Sequence, residues 1–221
     1  MSASSKFAAV SWDFGGVLTS SPFEAFSRYE QQHGLPHDFI RGVNSVNPDA
    51  NAWAMFEQAR ISAADFDAQF LSESTALGHA VAGRDVLALL SGALRVRAVA
   101  ALKAISREYK VGCITNNVPM GKGPGMAGTN QKAQAVGKVM AMFDHVLESS
   151  KIGIRKPDPR IYALMCEALN VEPSACIYLD DLGINLKPAR QMGMTTIKVV
   201  SEAQLLTDLG ALLEREFVLA N

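Results

Sequence analysis

The sequence carries no surplus of positive charge: 21 lysines and arginines stand against 22 aspartates and glutamates, a formal net charge of -1. A nucleic acid duplex is held by neutralising its phosphates, so no nucleic acid partner is expected and a small molecule fits better. Long apolar runs are also missing. The stretch from Ala8 to Trp12 is too short for a signal core or a membrane span, so the expected address is cytoplasmic, with no membrane partner. Cysteine is scarce. Cys113, Cys166 and Cys176 are odd in number, widely spaced and set among apolar residues, and read as buried thiols of a reduced compartment rather than a disulfide framework or a metal site.

What is present is 221 residues with 48% hydrophobic content, enough for one sizeable core and a second small lobe. Five short apolar runs have the look of buried strands: Ala8 to Trp12, Val111 to Thr115, His145 to Glu148, Ala175 to Leu179 and Thr195 to Val200. Helical patterns lie between most of them. That alternation predicts an α/β fold with a mainly parallel sheet, helices on its faces and ligands at the carboxyl ends of the strands. Asp158 before Pro159 predicts a helix start, followed by Ile161, Tyr162, Leu164, Met165, Ala168 and Leu169 on one face. Ser201 with Gln204 resembles a capping box, and Gly193 suits a helix stop.

Between the first two strands, from Ser20 to Arg95, helical patterns recur near Phe23 to His33, Trp53 to Arg60 and Ala63 to Ala76, with little strand character. Roughly 75 residues are too many for a simple crossover. The expected division is therefore a core of residues 1–19 and 96–221 with a helical cap of residues 20–95 over the strand ends. An apolar cap face carrying Trp53, Phe56 and Phe66 would suit a homodimer. After the second strand, Val118 to Thr129 holds four glycines and two prolines and is expected to be a mobile loop.

Four short constellations carry chemistry. Asp13 ends the first strand and is followed by Gly15 and Gly16, so its carboxylate stands where the backbone allows a ligand or metal close approach. Asp180 and Asp181 end another apolar run, where mutual repulsion disfavours ionising both unless a divalent cation joins them; with Asp13 alongside they offer the hard oxygens that Mg2+ prefers. Thr115 and Asn116 offer a hydroxyl, an amide and backbone N–H groups to a phosphate. Lys156 stands just before a helix N-terminus, where a cation is unfavourable and so has another use.

In this order the four pieces resemble the signature motifs of the haloacid dehalogenase superfamily. The resemblance extends through Lys-Pro-Asp-Pro-Arg-Ile-Tyr from Lys156 and Leu-Asp-Asp-Leu-Gly-Ile-Asn-Leu-Lys-Pro-Ala-Arg from Leu179, and is similar to the subgroup that includes the N-terminal phosphatase domain of soluble epoxide hydrolase. It implies a Rossmann-like core with a helical cap and a Mg2+-dependent phosphatase acting on a small phosphorylated substrate. By that resemblance Asp13 is the nucleophile, Thr115, Asn116 and Lys156 hold the phosphoryl group, and Mg2+ is held by Asp13, the Gly15 carbonyl and Asp181, with Asp180 close by.

One departure stands out. Phosphatases of this family usually carry a second Asp two residues after the nucleophile as general acid and base, and here that position is Gly15. Loss of such proton transfer is typically worth about two to four orders of magnitude in rate. His33, His37 and His79 are chemical candidates for a substitute. Two further readings stay open: a metal-independent 2-haloacid dehalogenase-type hydrolase, against which the acidic pair counts, and a weakened phosphate-ester binding or regulatory protein. A phosphonatase-like route through a cap lysine is disfavoured because no lysine lies between Ser20 and Ala80.

Overall fold

The computed structural model describes residues 6–123 and 125–217. The ends of the expected core and Pro124 of the glycine-rich stretch lie outside the described residues. The chain runs β1 (Ala9–Trp12), α1 (Pro22–Gln32), α2 (Phe39–Ser45), α3 (Ala52–Glu57), α4 (Ala63–Ala76), α5 (Gly83–Ala88), α6 (Val96–Ile105), β2 (Lys110–Thr115) and α7 (Asn130–Met140). It continues through β3 (His145–Glu148), α8 (Ser149–Ile152), α9 (Pro159–Leu169), β4 (Cys176–Asp180), α10 (Gly183–Gln191), β5 (Thr195–Lys198) and α11 (Glu202–Leu212).

All four strand pairings are parallel, in the order β3-β2-β1-β4-β5. This is the expected α/β sheet. Its strands are apolar on both faces because helices cover both: Val10, Trp12, Val111 and Cys113 face the cluster built with α6 and α11, while Ala9, Ile114 and Tyr178 face α9 and α10. The chain leaves β1 for β2 and β3 on one side and returns to β4 and β5 on the other. The strand order therefore reverses at β1, and a crevice opens at its carboxyl end, where such sheets bind ligands.

Local chemistry explains the element ends. Asp158 accepts from Arg160 N with Pro159 in the first turn, as expected, but α9 buries Ile161, Tyr162, Met165, Cys166 and Leu169 and leaves Leu164 37% exposed. The buried stripe is thus rotated from the expected one, with Cys166 in place of Leu164. Ser201 caps α11 through Gln204 N, yet the Gln204 side chain turns to Val200 N rather than completing the reciprocal box. Gly193, at φ +98°, lies just beyond α10.

The five helices α1–α5 form an insert with its own aromatic interior of Phe26, Phe39, Phe56, Phe66 and Phe70. The sequence breaks at Gly34-Leu35-Pro36 and Asn47-Pro48 do separate helices, and two short ones, α2 and α5, add to those expected. The insert is entered and left through one antiparallel bridge, Thr19 with Leu94, beside the Ser20 N to Ala93 O and Arg95 N to Leu18 O bonds. Phe56 and Phe66 are wholly buried in this interior, and Trp53 packs against it half-buried.

The glycine-rich stretch differs from expectation. Lys122 and Ala127 pair in an antiparallel bridge, Val118 and Met126 pack into the insert's interior, and Lys132 reaches Ser91. The glycines serve closeness: a Cβ on Gly121 would lie 2.8 Å from the Met126 backbone, and one on Gly125 would lie 2.8 Å from the Phe14 ring. Val118, Met126 and Ala127 anchor the segment, while residues 119–123 and 128–129 stay exposed.

Candidate active site

Register builds the site. Trp12 is level with Leu179, so the next residues along, Asp13 and Asp180, emerge side by side at the crevice. Thr115 ends the neighbouring strand on the other flank, 3% exposed. Lys156 enters from the loop before α9 and is 1% exposed, its ammonium 2.7 Å from Asp13 Oδ1 and 2.8 Å from Asp180 Oδ2. A lysine so buried is held only by paired opposite charge, which answers why a cation precedes a helix N-terminus here.

The two adjacent aspartates have different environments. Asp180 is fully buried and accepts five hydrogen bonds: from Lys156, from Tyr178 Oη at 2.5 Å, from Leu182 N, and from Asn185 Nδ2 on each oxygen. Asp181 is partly exposed and accepts one long bond, 3.4 Å, from Ser21 Oγ. Burial and the neighbouring Asp180 push its carboxyl up to about 6. Burial likewise raises the Asp13 carboxyl well above the usual range; Lys156 draws it down, and Asp180 and Asp181 push it up.

Asp13, Asp180 and Asp181 each offer an oxygen, and these oxygens lie within 4.8 Å of one another. Three carboxylates stand against one ammonium, and burial first, then repulsion among the aspartates, raises the Asp13 and Asp181 carboxyls. A divalent cation of the hard, oxygen-seeking kind fits this donor set. The Asp13 carboxylate is also shaped for attack: Oδ1 takes both Phe14 N and Lys156 Nζ, which leaves Oδ2 without a hydrogen bond among the described residues.

Of the residues singled out from sequence, Asp13, Thr115, Lys156, Asp180 and Asp181 belong to this strand-end cluster. Asn116 is used otherwise than expected. Its Oδ1 accepts from Lys156 N at 2.8 Å and its Nδ2 donates to Lys156 O at 3.0 Å, so its side chain grips the Lys156 main chain. Any share in holding phosphate then falls to its backbone. His33, His37 and His79 contact Tyr29, Asp38 and Phe39, and none bonds to a site residue.

Further residues complete the site, of which Tyr178, Asn185 and Arg95 were not foreseen. Gly16, at φ +76°, lies so close to Asp181 that an added Cβ would meet its carboxylate at 2.1 Å, and its carbonyl accepts from Arg95 at 2.5 Å. Tyr178 and Asn185 hold Asp180. The signal for Asn185 was available: it lies in the first turn of α10, four residues past Asp181, on the side facing the strand end. A cleft of about 310 Å3 opens beside Asp181, walled by Phe23 and Arg41 of the insert and by Arg95 and Val200 of the core.

Haloacid dehalogenase-like hydrolases match residues 7–193, most of the chain and every residue of this cluster. The chain belongs to that hydrolase family. This haloacid dehalogenase-like protein is 32% identical to mouse "Acyl-CoA dehydrogenase family member 10" over 94% of its own length and 19% of that protein. It is 29% identical to mouse "Bifunctional epoxide hydrolase 2" over 90% of its length and 37% of that protein. The chain thus spans well under half of both relatives. Among solved structures, a Bacteroides thetaiotaomicron haloacid dehalogenase family enzyme in complex with magnesium and inorganic phosphate superposes with a TM-score of 0.57 at 19% identity, covering 86% of this chain and 93% of that one. L-2-haloacid dehalogenase from Xanthobacter autotrophicus with chloropropionic acid covalently bound superposes with a TM-score of 0.59 at 18% identity, covering 95% and 89%. At such identities the two structures share the fold. No helix among the described residues is long and apolar enough to cross a membrane.

Proposed function

We propose that this hydrolase is a Mg2+-dependent phosphatase that releases phosphate from a small phosphorylated metabolite through an aspartyl phosphate on Asp13, with the insert serving as a cap. The observation that carries the reading is the charge imbalance: three carboxylates and one ammonium within one cluster, with Asp181 at its open side. A carbon electrophile asks for a carboxylate nucleophile, but it gives no use to Asp181. A phosphoryl group with its counter-cation does.

Asp13, the Gly15 carbonyl and Asp181 would hold Mg2+, with Asp180 oriented beside them by Tyr178 and Asn185. The ion would supply neutralisation of the phosphoryl oxygens. Asp13 Oδ2 attacks phosphorus; the phosphorus–oxygen bond to the alcohol breaks, and the alkoxide leaves. Lys156 stays an ammonium throughout, clamped by its two carboxylates, and offsets charge as it builds on the phosphoryl oxygens. Thr115 offers its hydroxyl to the same oxygens. Water then attacks phosphorus, the phosphorus–oxygen bond to Asp13 breaks and restores the carboxylate, phosphate departs, and the proton that water gives up passes to solvent, which protonates the alkoxide. With Gly15 in place of an acid, leaving groups that need little protonation should turn over best.

Phosphate release from activated aryl phosphates tests the proposal. It is expected with Mg2+ and should vanish in chelator and in Asp13→Asn. Halide release from 2-haloacids in chelator would establish the dehalogenase reading instead, and tight phosphate-ester binding without turnover would establish the regulatory one.

A further inference from the structure

Among the described residues, α1–α5 and the rest of the chain share one ion pair, and it stands beside the site. Glu57 ends α3, is 5% exposed, and places Oε2 2.7 Å from Arg155 Nε. Burial raises the Glu57 carboxyl, while Arg155 foremost, a hydrogen bond from Trp53 and then Lys156 draw it down. The same Glu57 oxygen lies 3.4 Å from Asn116 Nδ2, and Arg155 donates a hydrogen bond from Nη1 to the insert at Pro48 O, 2.8 Å away. The other buried acid of the insert, Glu30, is satisfied at home by Asp38 N and Ile40 N.

Two partners of Glu57 lead to Lys156, while a third, the Trp53 side chain, belongs to α3 itself. Arg155 precedes that lysine in the chain, and Asn116 grips its main chain on both sides at 2.8 and 3.0 Å. Lys156 in turn sets the orientation of Asp13 Oδ1. We infer that Glu57 is a positioning residue: its contacts with Arg155 and Asn116 fix the Lys156 main chain, so that seating of the insert decides where the ammonium stands against Asp13. The kinetic consequence rests on the phosphatase reading; the placement of Lys156 does not.

The test compares Glu57→Gln, Arg155→Gln and the double variant. Each single change leaves a buried partner uncompensated, so each should lower the melting temperature, and the double change should recover much of that loss. In all three, kcat on an aryl phosphate with Mg2+ is expected to fall about tenfold with KM within about twofold, at a temperature where every variant is folded. A merely structural role predicts that kcat returns with stability in the double variant, and that outcome would overturn the inference. The nitrogen-15 resonance of the Lys156 ammonium provides a readout independent of turnover. It should be displaced in all three variants, and a wild-type resonance in the double variant would likewise overturn the inference. If the wild-type protein releases no phosphate, the phosphatase reading falls and the resonance alone decides this one.

Discussion

Around the strand ends, Asp13, Lys156 and Asp180 are buried against one another with Asp181 half-buried beside them; in the insert, the rings of Phe26, Phe56, Phe66 and Phe70 fill the interior, and Glu30 is quieted by main-chain amides. The first region holds like charges together at a cost in stability, while the second gains stability by removing apolar surface from water. A protein tolerates the first arrangement where binding repays it, and the second supplies a rigid wall for what binds. Glu57 is the exception that joins the two, an insert acid that meets Arg155 and Asn116 beside the strand ends.

The sharpest way to break this contrast is Asp13→Asn. Turnover should fall by at least about 10^4-fold, because the nucleophile is lost, while circular dichroism stays native. Phe66→Ala probes the other region: truncating a fully buried ring should cost about 3–5 kcal/mol in denaturant unfolding, with the rate per folded molecule largely kept. A lost rate at full folding would show the insert to be more than a wall. Gly15→Asp restores the missing carboxylate at a position where an added Cβ meets nothing within 4 Å. Steady-state assays should show a gain of about 10^2-fold on poorly activated esters; an unchanged rate would mean that proton transfer does not limit.

The smallest effect concerns Asp181. Its carboxyl is pushed up to about 6 in the folded chain, above the ordinary 3.8, so the folded state holds this proton more tightly than the unfolded state does. The benefit is complete below the unfolded value and is lost as pH rises through about 6. In chelator, wild-type protein should therefore lose about 2 kcal/mol more than Asp181→Asn between about pH 4 and pH 7. Urea titrations of the two proteins check it, and parallel profiles would remove the strained carboxylate from the account.

The strand ends were readable because buried parallel strands are short apolar runs, and an acid directly after such a run has one place to go. Asp13 and Asp180 needed only the register to meet. The helices α2 and α5, seven and six residues long, are too short to display a period, and the glycines of 118–129 signalled a turn without telling what it packs on. Asn116 was misjudged for a related reason. Its residue type announces hydrogen bonding, but which atoms it meets depends on Lys156, forty residues away. The Glu57–Arg155 pair spans the two units in the same way and leaves no local pattern.

The most direct test of the central claim is to quench the enzyme during turnover of an activated aryl phosphate with Mg2+ and map the label by peptide mass spectrometry. The account predicts a phosphoryl group on the peptide bearing Asp13, removable by hydroxylamine and absent in chelator. Phosphate release at full rate with Asp13 unlabelled throughout would contradict it.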